Sequence, residues 1–195
     1  MNASRRFSQA ISEGAGISLI ALVSSADDAA EAEAGGADAV LLEPALAAEV
    51  DSVRAATALP LLASWPGNPP AGAGGADACV LPTDGDHEWL ERVHRELRDV
   101  LDIAFWIEDE EHLASALEDF DPEIFILAAP DLDGEEALER VLDLLPDVPA
   151  GKLVIAELPA SSRDDVGALE RAGFDGVIVE AGAVAALAGA EPPEV

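Results

Sequence analysis

The chain has 195 residues, half of them apolar, and sets 40 Asp and Glu against 10 Lys and Arg, a formal net charge of −30. That length gives one domain with a sizeable core, and that charge repels nucleic acid and anionic membrane surfaces. No apolar run reaches the length of a membrane span. No signal-peptide pattern follows Arg5 and Arg6, and Cys79 is the lone cysteine; a cytoplasmic setting without internal disulfides is expected.

Residues 1–16 hold Phe7, Ala10 and Ile11 at helical spacing, a short leading helix ended by Gly14 and Gly16. Residues 17–24 read as the first strand. Ser25-Ala26-Asp27-Asp28 then caps an Ala-rich helix that runs to Gly35. Residues 39–43 are a second strand, 45–57 a helix with Leu46, Val50 and Val53 inward, and 59–64 a third strand. Trp65-Pro66-Gly67 and the Pro- and Gly-rich residues to Gly75 cannot form a regular helix. After a fourth strand at 78–81, Asp86 caps a helix with Trp89, Leu90, Val93, Leu97 and Val100 on one face. Residues 103–107 are strand five, 109–120 a helix with Leu113, Ala116 and Leu117 inward, and 124–128 strand six. Asp133-x-x-Glu136 resembles a capping box before a helix with Leu138, Val141, Leu142 and Leu145 inward. Strand seven at 153–156, a helix at 162–172, strand eight at 177–179 and a short helix at 182–188 follow.

One motif recurs at three strand starts: Gly36-Ala37-Asp38-Ala39-Val40, Gly75-Ala76-Asp77-Ala78-Cys79 and Gly173-Phe174-Asp175-Gly176-Val177. Gly ends the preceding segment because it takes left-handed dihedrals cheaply. The apolar run after it suits a strand buried on both faces, as in a parallel sheet. Repeated βα units of this kind predict an α/β fold: an unusually small (β/α)8 TIM barrel over residues 17–190, with a leading helix at 1–16 and a tail at 191–195, its third helix replaced by the Pro/Gly loop. An open doubly wound sheet is the alternative.

The acids are spread over nearly every helix, a pattern that favours adaptation to a high-salt cytoplasm over an acidic protein-binding module. Glu43, Asp84, Glu108, Asp131, Glu157 and Glu180 fall at or just after strand ends; a ring of carboxylates is one way to hold a divalent cation. An acidic protein places acids everywhere, so no metal is assigned. His87, Glu91 and His94 share one helical stripe at a spacing that holds zinc weakly; a solvated face is expected instead, and His112 is expected to face water. Most helix starts carry their own acids, but Ser161-Ser162-Arg163 and Gly182 are less occupied and form a candidate phosphate subsite. The segment at Trp65 leaves barrel wall to be covered, by loop packing or by a second copy of the chain.

With the strands laid out, the chain resembles indole-3-glycerol-phosphate synthase of tryptophan biosynthesis. The likeness runs through Phe7-Ser8-Gln9-Ala10-Ile11, Gly36-Ala37-Asp38-Ala39-Val40-Leu41, Leu59-Pro60-Leu61-Leu62, Asp109-Glu110-Glu111-His112-Leu113, Asp131-Leu132 and Ala156-Glu157. It implies the barrel fold, a small phosphorylated ligand near the Ser161 and Gly182 loops, and no cofactor. The family's chemistry does not carry over. Leu22-Val23-Ser24 and Ser64 stand where two catalytic lysines are needed, Trp106 where a glutamate is needed, and Ala128-Ala129 where paired asparagines are. Only Glu157 remains. Ring closure with loss of carbon dioxide and water needs a general acid, so the expected protein is a non-catalytic homologue, a scaffold or binding protein. The alternative is a divergent synthase or related carbon-oxygen or carboxy lyase using Glu157, Ser24 and Ser64. An open cavity facing Glu157 favours the enzyme; a mouth filled by Trp106 and Trp65 favours the interaction protein.

Overall fold

An apolar run becomes a central strand here because both of its faces are buried: one toward the barrel axis, the other under the helices. The computed structural model describes residues 5–14, 16–44, 49–64, 74–158 and 161–188. Within them β1 (Ser18–Val23), β2 (Ala39–Leu42), β3 (Leu61–Ser64), β4 (Ala78–Pro82), β5 (Asp102–Ile107), β6 (Ile124–Ala128), β7 (Leu153–Glu157) and β8 (Gly176–Glu180) pair in parallel in chain order, and β8 closes onto β1. The helices are α1 (Arg6–Ser12), α2 (Ala26–Gly35), α3 (Val50–Ala56), α4 (His87–Leu97), α5 (Glu110–Asp119), α6 (Gly134–Leu144), α7 (Arg163–Ala172) and α8 (Val184–Ala188). This is the expected small (β/α)8 barrel. Among the described residues no α-helix joins β3 to β4; Trp65 and most of the Pro/Gly segment, Leu46 and the tail lie outside them.

Side chains alternate along every strand. Ile20, Leu41, Leu62, Val80, Ala104, Ile126, Ile155 and Ile178 meet in one cluster on the axis, together with Phe7 and Ile11 of α1. Leu19, Val40, Leu61, Cys79, Phe105, Leu127, Val154 and Val177 join the outer cluster with the helices. Phe7 is fully buried and Ile11 nearly so. The leading helix therefore plugs the barrel at the strand N-termini. Burial pushes the Cys79 thiol up to about 12, which leaves it without nucleophilic use.

The repeated motif acts as a clasp at that same end. Gly36, Gly75 and Gly173 all have left-handed dihedrals, with φ of 93°, 91° and 107°. Each turns the chain so that the following Asp reaches the strand before it. Asp38 accepts the Leu19 N–H at 2.9 Å, Asp77 the Leu61 N–H at 2.9 Å, and Asp175 the Val154 N–H at 2.8 Å. The backbone N–H of each Asp returns a bond to the carbonyl of the same residue. Asp77 carries more: Arg54 at 3.0 Å and Arg6 of α1 at 3.4 Å. Arg54 also donates to the carbonyls of Thr57 and Leu59, and Arg6 to that of Ala58.

Several expected boundaries move for local reasons. β3 starts at Leu61 because Pro60 has no N–H and the Leu59 N–H goes to Thr57 Oγ1. α4 ends at Leu97, not at residue 100. Val100 and Leu101 both donate to the Leu97 carbonyl in the turn that follows, which swings Val100 out to 39 % exposure. Asp133 makes no side-chain cap, since Gly134 opens α6 with φ of 55°. The buried face of α6 is Ala137, Val141 and Leu144. The caps at Ser25 and Asp86 form as expected, and Asp109 caps α5 in the same way. His94 leaves the exposed stripe: it packs edge-on to Phe105 and Phe120, and burial, then Arg98, lower its pKa.

Asp175→Ala is expected to lower unfolding free energy by about 1–2 kcal/mol, the cost of one unpaired buried donor. Asp77→Ala is expected to cost about 3 kcal/mol because Arg54 loses its partner as well. Equal losses in chemical denaturation would show that the arginines contribute nothing. A Cβ at Gly173 meets no atom within 4 Å, so Gly173→Ala tests dihedral strain alone, at about 1–2 kcal/mol.

Candidate functional site

In a parallel barrel the strand C-termini and the helix N-termini open on one face, and strand alternation decides which side chains look into it. Parity from Ile155 turns Glu157 inward at the end of β7, and parity from Ala104 turns Trp106 inward on β5; Glu108 follows one residue beyond that strand. They line a cavity of about 500 Å³ with Leu22, Leu41, Val80, Ser64, Thr83, Glu43, Asp84 and His112. A neighbouring cavity of about 310 Å³ lies under the β6 and β7 loops and shares Trp106 and Glu157 as its wall.

Hydrogen bonds hold the wall in place. Thr83 Oγ1 donates to the Trp106 carbonyl at 2.8 Å, and Trp106 Nε1 donates to Glu108 Oε1 at 3.0 Å. The Glu108 carbonyl takes Arg140 from α6 at 3.2 Å. Trp106 thus divides two open spaces and does not fill the mouth; Trp65 lies outside the described residues. Glu157 sits between Ala128 and Ile178 in the ladder, and its carboxyl group makes no hydrogen bond to another described residue. Burial, then the Glu108 charge, push its carboxyl up to about 7.

Of the three catalytic candidates, Glu157 and Ser64 share the cavity and Ser24 does not. Ser24 is exposed just beyond β1, where its hydroxyl and N–H donate to Asp28 at 2.6 and 3.0 Å. The four phosphate candidates do not converge. Ser162 caps α7 in a reciprocal box with Asp165, Ser161 donates to the Leu158 carbonyl, Arg163 Nε donates to the Ala186 carbonyl at 2.8 Å, and Gly182 sits in the turn before α8. Of the strand-end acids, Glu43, Asp84, Glu108 and Glu157 line the cavity, while Asp131 and Glu180 are exposed elsewhere. Among the described residues no group of three or more His, Cys, Asp or Glu is arranged to hold a metal ion.

His112 corrects the sequence reading: it lines the cavity, with Nδ1 buried, unbonded and 3.3 Å from Asp109 Oδ2. Its position was available in principle. It stands three residues after the cap Asp109, in the first turn of a helix whose N-terminus faces the mouth, and helical side chains lean toward that end.

Fold and site together define a (β/α)8 barrel with an acidic, apolar-walled mouth cavity. No family model matches the sequence, and no curated protein matches it.

The proton on Glu157 gives a stability signature. The carboxyl titrates near 4.5 in the unfolded chain and near 7 in the fold. Stability is therefore unaffected by this group below pH 4.5, falls as pH rises toward 7, and stays reduced above it. Glu157→Gln is expected to match the parent at pH 4.5 and to exceed it at pH 8 by up to about 3 kcal/mol. Denaturation curves that differ equally at the two pH values would show a carboxyl that ionises freely.

Proposed function

We propose that the barrel mouth is a small-molecule site, in a barrel of indole-3-glycerol-phosphate synthase lineage that no longer closes the indole ring. One observation carries the reading: a cavity of ligand size that none of the ten Lys and Arg residues lines. Every one of those ten is a described residue, so the segments outside the described residues have no cation to add. Arg6, Arg54 and Lys152 serve the opposite end, and Arg140 and Arg163 bond backbone carbonyls. Ring closure on a phosphorylated, carboxylated substrate needs cations for the anion and a proton donor for the carbonyl. Leu22, Ser64 and Trp106 supply neither. The even spread of acids favours a high-salt setting.

A second reading, a divergent lyase, is favoured by the open cavity and by Glu157 in its wall: a carboxyl poised near 7 beside a second carboxylate is suited to general acid work. The deciding assay follows indole-glycerol phosphate formation from the carboxyphenylamino-deoxyribulose phosphate substrate, in molar KCl. The expected result is no turnover from protein shown to be folded by circular dichroism. Turnover abolished by Glu157→Gln would establish the lyase and remove the non-catalytic reading.

A further inference from the structure

A cavity selects its ligand by what its walls leave unsatisfied. Here Leu22, Leu41 and Val80 give apolar wall, and the Trp106 indole is held in place through Nε1 by Glu108. That bond leaves the ring face for a ligand. The Glu157 carboxyl faces the same space with no hydrogen bond to a described residue, and its nearest electrostatic neighbour is another carboxylate, Glu108. Two like charges under apolar walls destabilise each other, and no Lys or Arg lines the cavity to relieve them. An anion would enter against these acids without a countercharge. A bare divalent ion would find no group of three ligands among the described residues, and it would keep its water.

We propose that the mouth binds an organic cation, a primary ammonium seated beside Glu157 and Glu108 with its apolar body over Trp106. This rests on the mouth being a small-molecule site. The ammonium donates to Glu157, which otherwise lacks a donor, and lies within reach of the negative face of the indole. The apolar body displaces water from Leu22, Leu41 and Val80. The second cavity, across Trp106 and Glu157, gives room for a longer body on the same head group.

The test is calorimetric titration of the full chain in molar KCl, which screens association with exposed surface acids. Phenethylamine, phenethyl alcohol and phenylacetate serve as probes of one body and three charges. The expected order is amine first, alcohol weaker, phenylacetate undetectable, with one amine per chain. Glu157→Gln is expected to weaken the amine about tenfold or more and to leave the alcohol unchanged; the alcohol arm and circular dichroism report that the variant is folded. Alcohol or phenylacetate binding as tightly as the amine would keep the small-molecule site and overturn the cation preference. Amine binding that Glu157→Gln leaves unchanged would mark surface counterion association and overturn the proposal. No binding by any probe would overturn the small-molecule reading itself.

Discussion

A carboxylate placed on the N–H of the neighbouring strand is the contact on which this barrel depends. A parallel strand pair has evenly spaced, slanted bonds and no hairpin to set its register. At β1–β2, β3–β4 and β7–β8 the register is set by an Asp that receives an amide from the first two residues of the neighbour while its own amide returns the bond. The Gly two residues earlier makes the reach possible because its left-handed dihedral turns the chain into the new strand. Asp77 extends the contact by anchoring α3 through Arg54 and α1 through Arg6. Phe7 and Ile11 then stop the bottom of the barrel.

The two ends of the barrel therefore treat acids in opposite ways. At the bottom each carboxylate named here has a donor: Asp102 takes the Ser8 N–H at 2.9 Å, Glu33 takes Thr57 and Ala58, and Lys152 joins Asp121 at 2.9 Å and Glu123 at 3.4 Å. The hydrogen bond to Asp121 raises the Lys152 pKa, so that contact favours the charged lysine. At the mouth, Glu157 faces Glu108 across apolar wall with no Lys or Arg lining the space. In barrels of this class the bottom end governs stability and the top end chemistry. Acids serve as structural acceptors below, whereas above Glu108 takes the Trp106 indole N–H and the Glu157 carboxyl has no donor among the described residues.

The eight strands were legible because each is a short apolar run, and burial on both faces leaves no other composition for it. The helix caps at Ser25 and Asp86 were legible for an equally local reason. What depended on distant residues was not. The Asp of the repeated motif carried no role in the sequence, because its acceptor role needs the partner strand in register. His94 read as exposed from its helix stripe, yet two phenylalanines from β5 and the end of α5 cover it. Ser24 continued the inward parity of Leu22, but β1 ends at Val23 and Asp28 draws the serine outward. Parity predicts direction only while the ladder lasts.

Parity also explains why the mouth stays open where a large aromatic was expected to close it. Trp106 faces the axis from β5, Glu108 follows one residue beyond the strand, and the indole N–H meets the Glu108 carboxylate. That bond and the Thr83 contact to the Trp106 carbonyl hold the ring against the β5 side. The ring becomes a partition with space on either side, and Glu157 is exposed to both spaces. A tryptophan held in this way gives the acidic cavity one aromatic wall without removing its volume.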